Sequence, residues 1–393
     1  MIKPFTFSRI PKIHFGAGTI QLLDSLIGGF GTTVLIVTYA HSFESSGKFD
    51  AVKEALKKKS VTTHYLRVSV EPSPALIDEA VTVYKDSKID AVCAIGGGSV
   101  LDTGKAISAM LPGGGSVFDY LEGVGTGKQH DGRKVPFIAV PTTSGTGSEA
   151  TKNAVLSTVG PDGYKKSLRH DNFIPDIALI DPELMLSCPA HVTSSTGLDA
   201  LTQLMEAYVS TNASPFTDAA AFSGLEYAVV NLIQACTTGA GNVDVRAGMA
   251  YAALQSGICL ANAGLGTVHG LASALGGLFD IPHGVVCGTV MGAAVRVTIE
   301  RLRGEGEQGR NGLRKYADIG MLMAGGEVED MDSACDLLIM KLAEWTEMLR
   351  IPRLNEYGVS ESDIGGIIAK TDNKNNPVAL DPDDIRRIIE SRL

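Results

Sequence analysis

The first half of the chain alternates short β-branched runs with amphipathic stretches that have helical periodicity. Strand-like runs at 34–38, 64–68 and 91–95 are separated by helix-like stretches at 48–59 and 74–87. Two further strands are expected farther along the chain, at 137–140 and 177–181. This alternation predicts a parallel sheet with crossover helices.

The second half of the chain has a helical pattern of apolar positions. Ala-rich and Leu-rich segments are separated by breaks that contain Gly, Asn or Pro, and they lie at 195–211, 215–239, 243–261 and 331–349. The most apolar region, 257–295, is interrupted by His269, His283 and many glycines. A buried helix pair is therefore expected there, and not a membrane span. A short C-terminal helix is expected to start near Pro382.

Composition and charge limit the possible functions. A chain of 393 residues is too long for a single domain of ordinary size with one hydrophobic core. We therefore expect an α/β domain at 1–187 and an all-α domain at 188–393. A net charge of -10 argues against a nucleic-acid partner, because phosphate backbones are bound by clustered Lys and Arg. The six cysteines are scattered without CxxC pairing and are expected to be buried, reduced thiols. The N-terminus lacks a secretory pattern, so we expect a cytoplasmic protein with no membrane partner.

Two loops at the ends of predicted strands have the composition of anion sites. Gly96-Gly97-Gly98-Ser99 leads from a strand into a helix, where free amides and the helix dipole attract phosphate. The spacing fits neither GxGxxG nor a P-loop, and a tight turn is the alternative. A second Gly/Thr/Ser loop at 141–149 follows the next strand. Ligands collect at this edge of α/β sheets, so two such loops favour a phosphate site.

Four residues are candidates for a metal site. Asp199 and Gln203 are one helical turn apart, and His269 and His283 lie in the glycine-rich apolar stretch. Imidazole and carboxylate suit Fe²⁺ or Zn²⁺, whereas the neutral Gln amide is a weak ligand for either ion. The alternative is that the histidines are core residues and that Asp199 is a surface or capping acid.

These features together resemble the iron-dependent, or group III, alcohol dehydrogenases. The matching motifs fall in family order along most of the chain, at 15–18, 96–102, 141–149, 197–201 and 281–284. The resemblance implies an α/β N-terminal dinucleotide-binding domain with a parallel sheet and an all-α C-terminal domain, a dehydroquinate synthase-like architecture. A metal and NAD(P) would meet in the cleft between them.

The resemblance also implies roles for individual residues. The pyrophosphate would be held by Gly97, Gly98 and Ser99, with Asp102 beside it. The cofactor would further be lined by Thr142, Thr143, Thr146 and, near the nicotinamide ribose, Lys165. The metal ligands, which are also the catalytic residues, would be Asp199, His269 and His283.

Three positions depart from the family pattern. Gln203 stands where the family usually has a histidine ligand, which predicts weaker metal retention. Ser273 stands where many members have a second histidine, which leaves the proton relay open. Tyr39 stands where NAD-preferring members often carry an aspartate, so NAD and NADP both remain possible.

The resemblance implies an NAD(P)-dependent alcohol dehydrogenase or aldehyde reductase. A divalent metal, Fe²⁺ or alternatively Zn²⁺, would polarise the oxygen of a small alcohol or aldehyde during hydride transfer. A homodimer or higher homo-oligomer is expected. Alternatives are a metal-free reductase like maleylacetate reductase, a polyol-oxidising or sugar-acid-oxidising enzyme, and a nucleotide-binding protein without turnover.

Overall fold

A computed structural model describes residues 2–39, 47–326 and 328–393. The described residues form eight strands, which are β1 (Lys12–Phe15), β2 (Thr33–Tyr39), β3 (Thr62–Val68), β4 (Ala91–Gly96), β5 (Phe137–Pro141), β6 (Asn153–Thr158), β7 (Tyr164–Arg169) and β8 (Ile177–Ile180). Six of them make a sheet in the order β1-β8-β5-β4-β2-β3, and every neighbouring pair is parallel. The predicted parallel sheet is therefore confirmed.

Helices connect the strands and then form the rest of the chain. Those of the first half are α1 (Leu23–Gly28), α2 (Lys48–Lys58), α3 (Pro74–Tyr84) and α4 (Gly98–Met110). Those of the second half are α5 (Ala190–Val209), α6 (Pro215–Cys236), α7 (Val243–Ala263), α8 (Thr267–Leu278), α9 (His283–Gly304), α10 (Arg310–Ala324), α11 (Met331–Met348), α12 (Ile364–Lys370) and α13 (Pro382–Glu390). The α/β and all-α halves match the expected fold class. The boundary at 187/188 falls between β8 and α5 and stays a prediction.

The central strands are apolar on both faces of the sheet. On β2, Leu35 and Val37 join one buried cluster, whereas Val34 and Ile36 join the cluster on the opposite face. Parallel sheets covered on both sides need such continuous apolar runs, which is why these strands were recognisable in the sequence. Helix α4 packs against β4 and β6, and all its residues from Val100 onward are buried.

Sequence patterns missed three strands and misplaced one helix start. The antiparallel hairpin of β6 and β7 was not predicted, because the Tyr-Lys-Lys-Ser-Leu-Arg sequence of β7 is polar and partly exposed. Strand β1 has only four residues and lies at the sheet edge, so it carries little periodicity. Helix α5 begins at Ala190, five positions before the predicted start at 195.

The helical half encloses its own apolar core. Among the described helices, α6 is long and apolar enough to cross a membrane, and α7 with α8 would make a second span if the bent pair counted as one. Core helices of globular domains often meet the same criteria. Helix α6 packs against α5 and α7. The chain bends by 97° between α7 and α8, where Gly264 has a φ of +71°.

Candidate active site

A cleft of about 860 Å³ separates the two halves of the molecule. One wall consists of the N-terminus of α4, the loop after β5 and the β6–β7 hairpin. The other wall consists of α5, the start of α8 and the start of α9. The cleft therefore lies at the carboxyl edge of β4 and β5, where open α/β sheets bind ligands.

Three predicted metal ligands meet at the bottom of the cleft. Nε2 of His269 lies 3.2 Å from Oδ1 of Asp199, and Nε2 of His283 lies 3.8 Å from the same oxygen. Helix α5 carries Asp199, which is 1% exposed, while α8 and α9 bring the two imidazoles. Cys287, one turn after His283 on α9, completes a group whose ligand atoms all lie within 4.8 Å of one another.

Glu206 fixes the orientation of the His269 ring. Its Oε2 lies 2.6 Å from His269 Nδ1, and its Oε1 accepts a 2.7 Å hydrogen bond from the backbone N–H of Val268. A carboxylate on the far nitrogen of a histidine turns the other nitrogen towards a metal and increases its basicity. Glu206 therefore positions His269 from behind the cluster.

The protonation states of Asp199 and His283 suit a cation, whereas His269 must release a proton before its second nitrogen can bind one. Burial raises the pKa of Asp199, but His283 and His269 outweigh this effect and the pKa is lowered to about 2. Burial lowers the pKa of His283 to about 4, so at neutral pH its imidazole is uncharged and has a lone pair to donate. Burial lowers the pKa of His269 as well, but Cys287, Glu206 and Asp199 raise it well above its ordinary value.

An unpartnered oxygen indicates what the cluster lacks. Gln203 Oε1 is buried and has no hydrogen-bond partner among the described residues. Gln203 is 2% exposed, lies one turn from Asp199 and lines the cleft. A carboxylate, two imidazoles and an oxygen without a donor are a donor set that fits a divalent metal ion.

The glycine loop after β4 has the shape required for close backbone approach. A Cβ added to Gly98 would lie 2.6 Å from Thr146 Cγ2, so the loop after β4 and the loop after β5 pack directly against each other. Gly98 and Ser99 open α4, and the first amides of a helix have no partner within it. Ser99 and Thr146 line the cleft beside these amides, an arrangement that fits a pyrophosphate.

A carboxylate from the loop after β3 connects the start of α4 with β7. Glu71 accepts a 2.8 Å hydrogen bond from Ser99 Oγ, and its other oxygen lies 3.3 Å from Lys165 Nζ. Burial raises the pKa of Glu71, but Lys165 and Ser99 outweigh it and lower the pKa overall. Lys165 is thus held over the cleft by β7.

The predicted cofactor residues occupy two layers. Those that line the cleft are Gly98, Ser99, Asp102, Thr146 and Lys165. Those behind the lining include Thr142, whose amide donates to the Gly96 carbonyl at 3.0 Å, and Thr143, which lies against Gly97. Asp102 is 7% exposed and accepts from the Val155 amide at 3.0 Å, so it also ties α4 to β6.

The structure shows the contacts of two positions that depart from the family pattern, Ser273 and Tyr39. Ser273 lines the cleft, and its hydroxyl donates to the His269 carbonyl at 2.8 Å within α8. Tyr39 ends β2, is 40% exposed and pairs with Val68 of β3. Residues 40–46, which follow Tyr39, lie outside the described part of the chain.

Sequence reasoning missed two groups of this site. Cys287 was grouped with the buried thiols, although its spacing of four from His283 places both on one face of a helix. Glu71 was not singled out, because only the folded chain brings the loop after β3 to Ser99 at the start of α4. Helical spacing could have revealed Cys287, whereas no local signal indicates Glu71.

Comparisons with known proteins cover the whole architecture. Residues 11–182 match the family described as iron-containing alcohol dehydrogenase, and residues 193–393 match the C-terminal domain of the Fe-containing alcohol dehydrogenase family. The 1,3-propanediol dehydrogenase of Citrobacter freundii is 36% identical over 374 residues, which cover 90% of this chain and 89% of that protein.

Further relatives agree in sequence and in structure. The NAD-dependent methanol dehydrogenase of Bacillus methanolicus is 30% identical over 392 residues, covering 98% of both chains. A crystal structure of a 1,3-propanediol oxidoreductase superposes with a TM-score of 0.88 at 29% identity, covering 100% of both chains. This chain therefore belongs to the iron-containing alcohol dehydrogenase family, whose members are oxidoreductases acting on CH–OH groups.

Proposed function

We propose that this protein is an NAD(H)-linked alcohol dehydrogenase and aldehyde reductase whose divalent metal is held by Asp199, His269 and His283. The observation that carries the proposal is the convergence of these three side chains in the same cleft as the glycine loop of α4. A small alcohol or aldehyde would bind between the two.

The dinucleotide would lie along the sheet side of the cleft. The first amides of α4 and the Ser99 hydroxyl would hold its pyrophosphate, and Thr146 would pack against it. Lys165, positioned by Glu71 at 3.3 Å, would contact the ribose nearest the metal cluster. Gly97, Thr142 and Thr143 would support this loop from behind, and Asp102 would keep α4 fixed to β6.

The helical side would hold the metal and orient the substrate. When bound, a divalent ion supplies Lewis-acid polarisation of an alcohol or carbonyl oxygen, and the nicotinamide supplies hydride exchange. Asp199 compensates the positive charge, and Glu206 keeps Nε2 of His269 directed at the cluster. The Ser273 hydroxyl already donates to its own helix, so it is available to the substrate mainly as an acceptor.

The choice of cofactor and metal is part of the proposal. NAD(H) is supported by the relative named as an NAD-dependent methanol dehydrogenase, and Fe²⁺ is supported by the family description. Tyr39 neither binds a ribose 2′-hydroxyl as a carboxylate would nor repels a 2′-phosphate, so NADPH should be compared directly with NADH. Zn²⁺ is the alternative ion for this donor set.

Turnover measurements separate the proposal from its alternatives. NADH and NADPH oxidation would be followed with aldehydes, ketones and keto acids, using chelator-treated enzyme with and without Fe²⁺, Zn²⁺ or Mn²⁺. Metal-dependent aldehyde reduction is expected. Equal turnover without metal would favour a maleylacetate reductase-like enzyme. Preferential oxidation of polyols or sugar acids would favour a polyol-oxidising or sugar-acid-oxidising enzyme. Cofactor binding without turnover would favour a non-catalytic nucleotide-binding protein.

We further propose a homodimer or higher homo-oligomer in the cytoplasm. An apolar strip on α6 supports association, because Tyr227 and Val230 are 48% and 60% exposed one turn apart. The free state of the cysteines supports a reducing compartment. Light scattering of the wild type should give a multiple of the chain mass, and Val230→Glu should lower it, whereas Val83→Glu on α3 should not.

A further inference from the structure

Cys287 occupies a position in the metal cluster that the predicted ligand set does not include. It follows His283 by one turn of α9, so both side chains leave the same helix face. Its Sγ lies 3.7 Å from Nε2 of His269 and 3.7 Å from Nε2 of His283. The sulfur therefore faces the two imidazoles on the side where a bound ion would sit.

Four of the six separations within the cluster are close to the edges of a tetrahedron. Metal bonds of about 2.0 Å to nitrogen or oxygen and about 2.3 Å to sulfur set tetrahedral N–O edges near 3.3 Å and N–S edges near 3.6 Å. The corresponding distances are 3.2 and 3.8 Å from Asp199 Oδ1 to the two imidazoles, and 3.7 Å for both sulfur edges. Each of the four ligand atoms thus lies near tetrahedral spacing from two of the others.

Gln203 gives an independent reason for another ligand. Its neutral amide oxygen donates less electron density than an imidazole, so a dication at the cluster would lack one strong donor. Cys287 is the remaining side chain of the group that can become anionic.

We propose that Cys287 is a metal ligand that binds as a thiolate beside Asp199, His269 and His283, and the substrate oxygen would then bind as a fifth ligand. The inference rests on the proposed function only in that the cluster must hold a metal ion. On binding, the S–H bond breaks, the sulfur keeps the electron pair and forms the bond to the metal, and the proton leaves to solvent. Two anionic ligands then balance a dication, and the soft sulfur shifts the preference of the site from Fe²⁺ towards Zn²⁺.

Cobalt is a direct probe of sulfur ligation. One equivalent of Co²⁺ added to the metal-free full-length protein should produce an intense near-ultraviolet sulfur-to-cobalt charge-transfer band, which nitrogen and oxygen ligands do not give. X-ray absorption of the zinc form should show one sulfur at about 2.3 Å. Cys287→Ser should abolish the band and lower Zn²⁺ affinity at least about tenfold, with a smaller loss of Fe²⁺ affinity.

Matched variants distinguish this result from general damage. Cys335→Ser replaces another buried cysteine, whose Sγ bonds the Leu313 carbonyl in the helical core, and should keep the band. Gln203→Ala should keep it too, because the sulfur remains. Cys287→Ala, checked for an unchanged far-ultraviolet spectrum, repeats the test if the serine variant unfolds.

The possible outcomes separate the two proposals. A Co²⁺ complex without the band, or a band that persists in Cys287→Ser, overturns sulfur ligation even if metal-dependent turnover is observed. The band without turnover on any alcohol or aldehyde supports sulfur ligation and overturns the proposed function. Failure of Co²⁺, Zn²⁺ and Fe²⁺ to bind at all overturns both.

Discussion

The Glu206 carboxylate bridges the His269 imidazole, at 2.6 Å from Nδ1, and the neighbouring backbone amide of Val268, at 2.7 Å. In Glu206→Gln the amide oxygen can still accept from Val268, but its NH₂ group then donates to His269 Nδ1. This arrangement places the ring proton on Nε2, the atom that must bind a metal. We expect metal affinity to fall about 10-fold to 100-fold while the fold is retained.

Chelator competition with Zn²⁺ measures this loss. Glu226→Gln, on the exposed face of α6, is the matched control and should bind Zn²⁺ as the wild type does. Wild-type affinity in Glu206→Gln would show that the bridge does not select the tautomer of His269.

Substitution of Gly98 tests whether the loop between β4 and α4 binds the cofactor. In Gly98→Ala the new Cβ would lie 2.6 Å from Thr146 Cγ2 and 2.9 Å from its Oγ1, so the two loops must separate. We expect the dissociation constant for NADH, followed by fluorescence titration, to rise at least about tenfold, since backbone approach is what such a loop provides. Gly114→Ala, with nothing within 4 Å of the added Cβ, should bind NADH normally. Equal affinities for both variants would remove α4 from the cofactor site.

Substitution of Gly257 tests the contact between α7 and the loop after β5, which joins the two halves of the molecule. In Gly257→Ala the added Cβ would lie 2.1 Å from the Gly147 carbonyl oxygen, and backbone atoms must shift. Overpacking of this kind costs about 1–3 kcal/mol, so the midpoint of thermal unfolding should fall. In Gly366→Ala, on the exposed face of α12, the added Cβ has open space around it. This substitution should instead raise the free energy of unfolding by up to about 1 kcal/mol. Equal midpoints would indicate that α7 and the loop do not touch as described.

Glu149 makes stability depend on pH. Burial raises the pKa of its carboxyl from 4.5 to about 7, and the side chain is 3% exposed. Because the folded pKa lies above the unfolded one, this group is favourable below pH 4.5 and its contribution is lost as the pH rises through 7. Glu149→Gln cannot ionise, so its advantage over the wild type should grow across this range to about 3 kcal/mol.

Denaturant unfolding between pH 5.5 and 9 measures this difference. Glu54→Gln on the exposed face of α2 serves as the control and should show a difference from wild type that does not vary with pH. A Glu149→Gln curve parallel to the wild-type curve would mean that Glu149 is not desolvated in solution.

The predictable parts of the fold are those in which local pattern and environment agree. Strands β2, β4 and β5 are buried on both faces, so their apolar runs appear directly in the sequence. Strand β7 was missed because it forms the outer, polar half of a hairpin whose pairing with β6 is the main reason for its conformation. The α4 start was predictable because glycine followed by a helix pattern is a local signal.

The site was predictable only where motif and geometry coincide. Asp199, His269 and His283 were recognised from the family resemblance, and the structure brings them together. Cys287 was missed because a buried cysteine in an apolar helix has the same appearance whether it fills a core or faces a metal, and only its spacing of four from His283 sets it apart. Glu71 depends on the order of strands in the sheet, which no short segment specifies.

The β6–β7 hairpin also has a mechanical consequence. Its Gly160 amide donates to the Gly277 carbonyl at the end of α8 at 3.1 Å, while Gly147 touches α7 on the other side of the cleft. A hinge that opened the cleft widely would have to break backbone contacts at two separate points. Substrate and product exchange should therefore need little movement of the two halves of the molecule relative to each other.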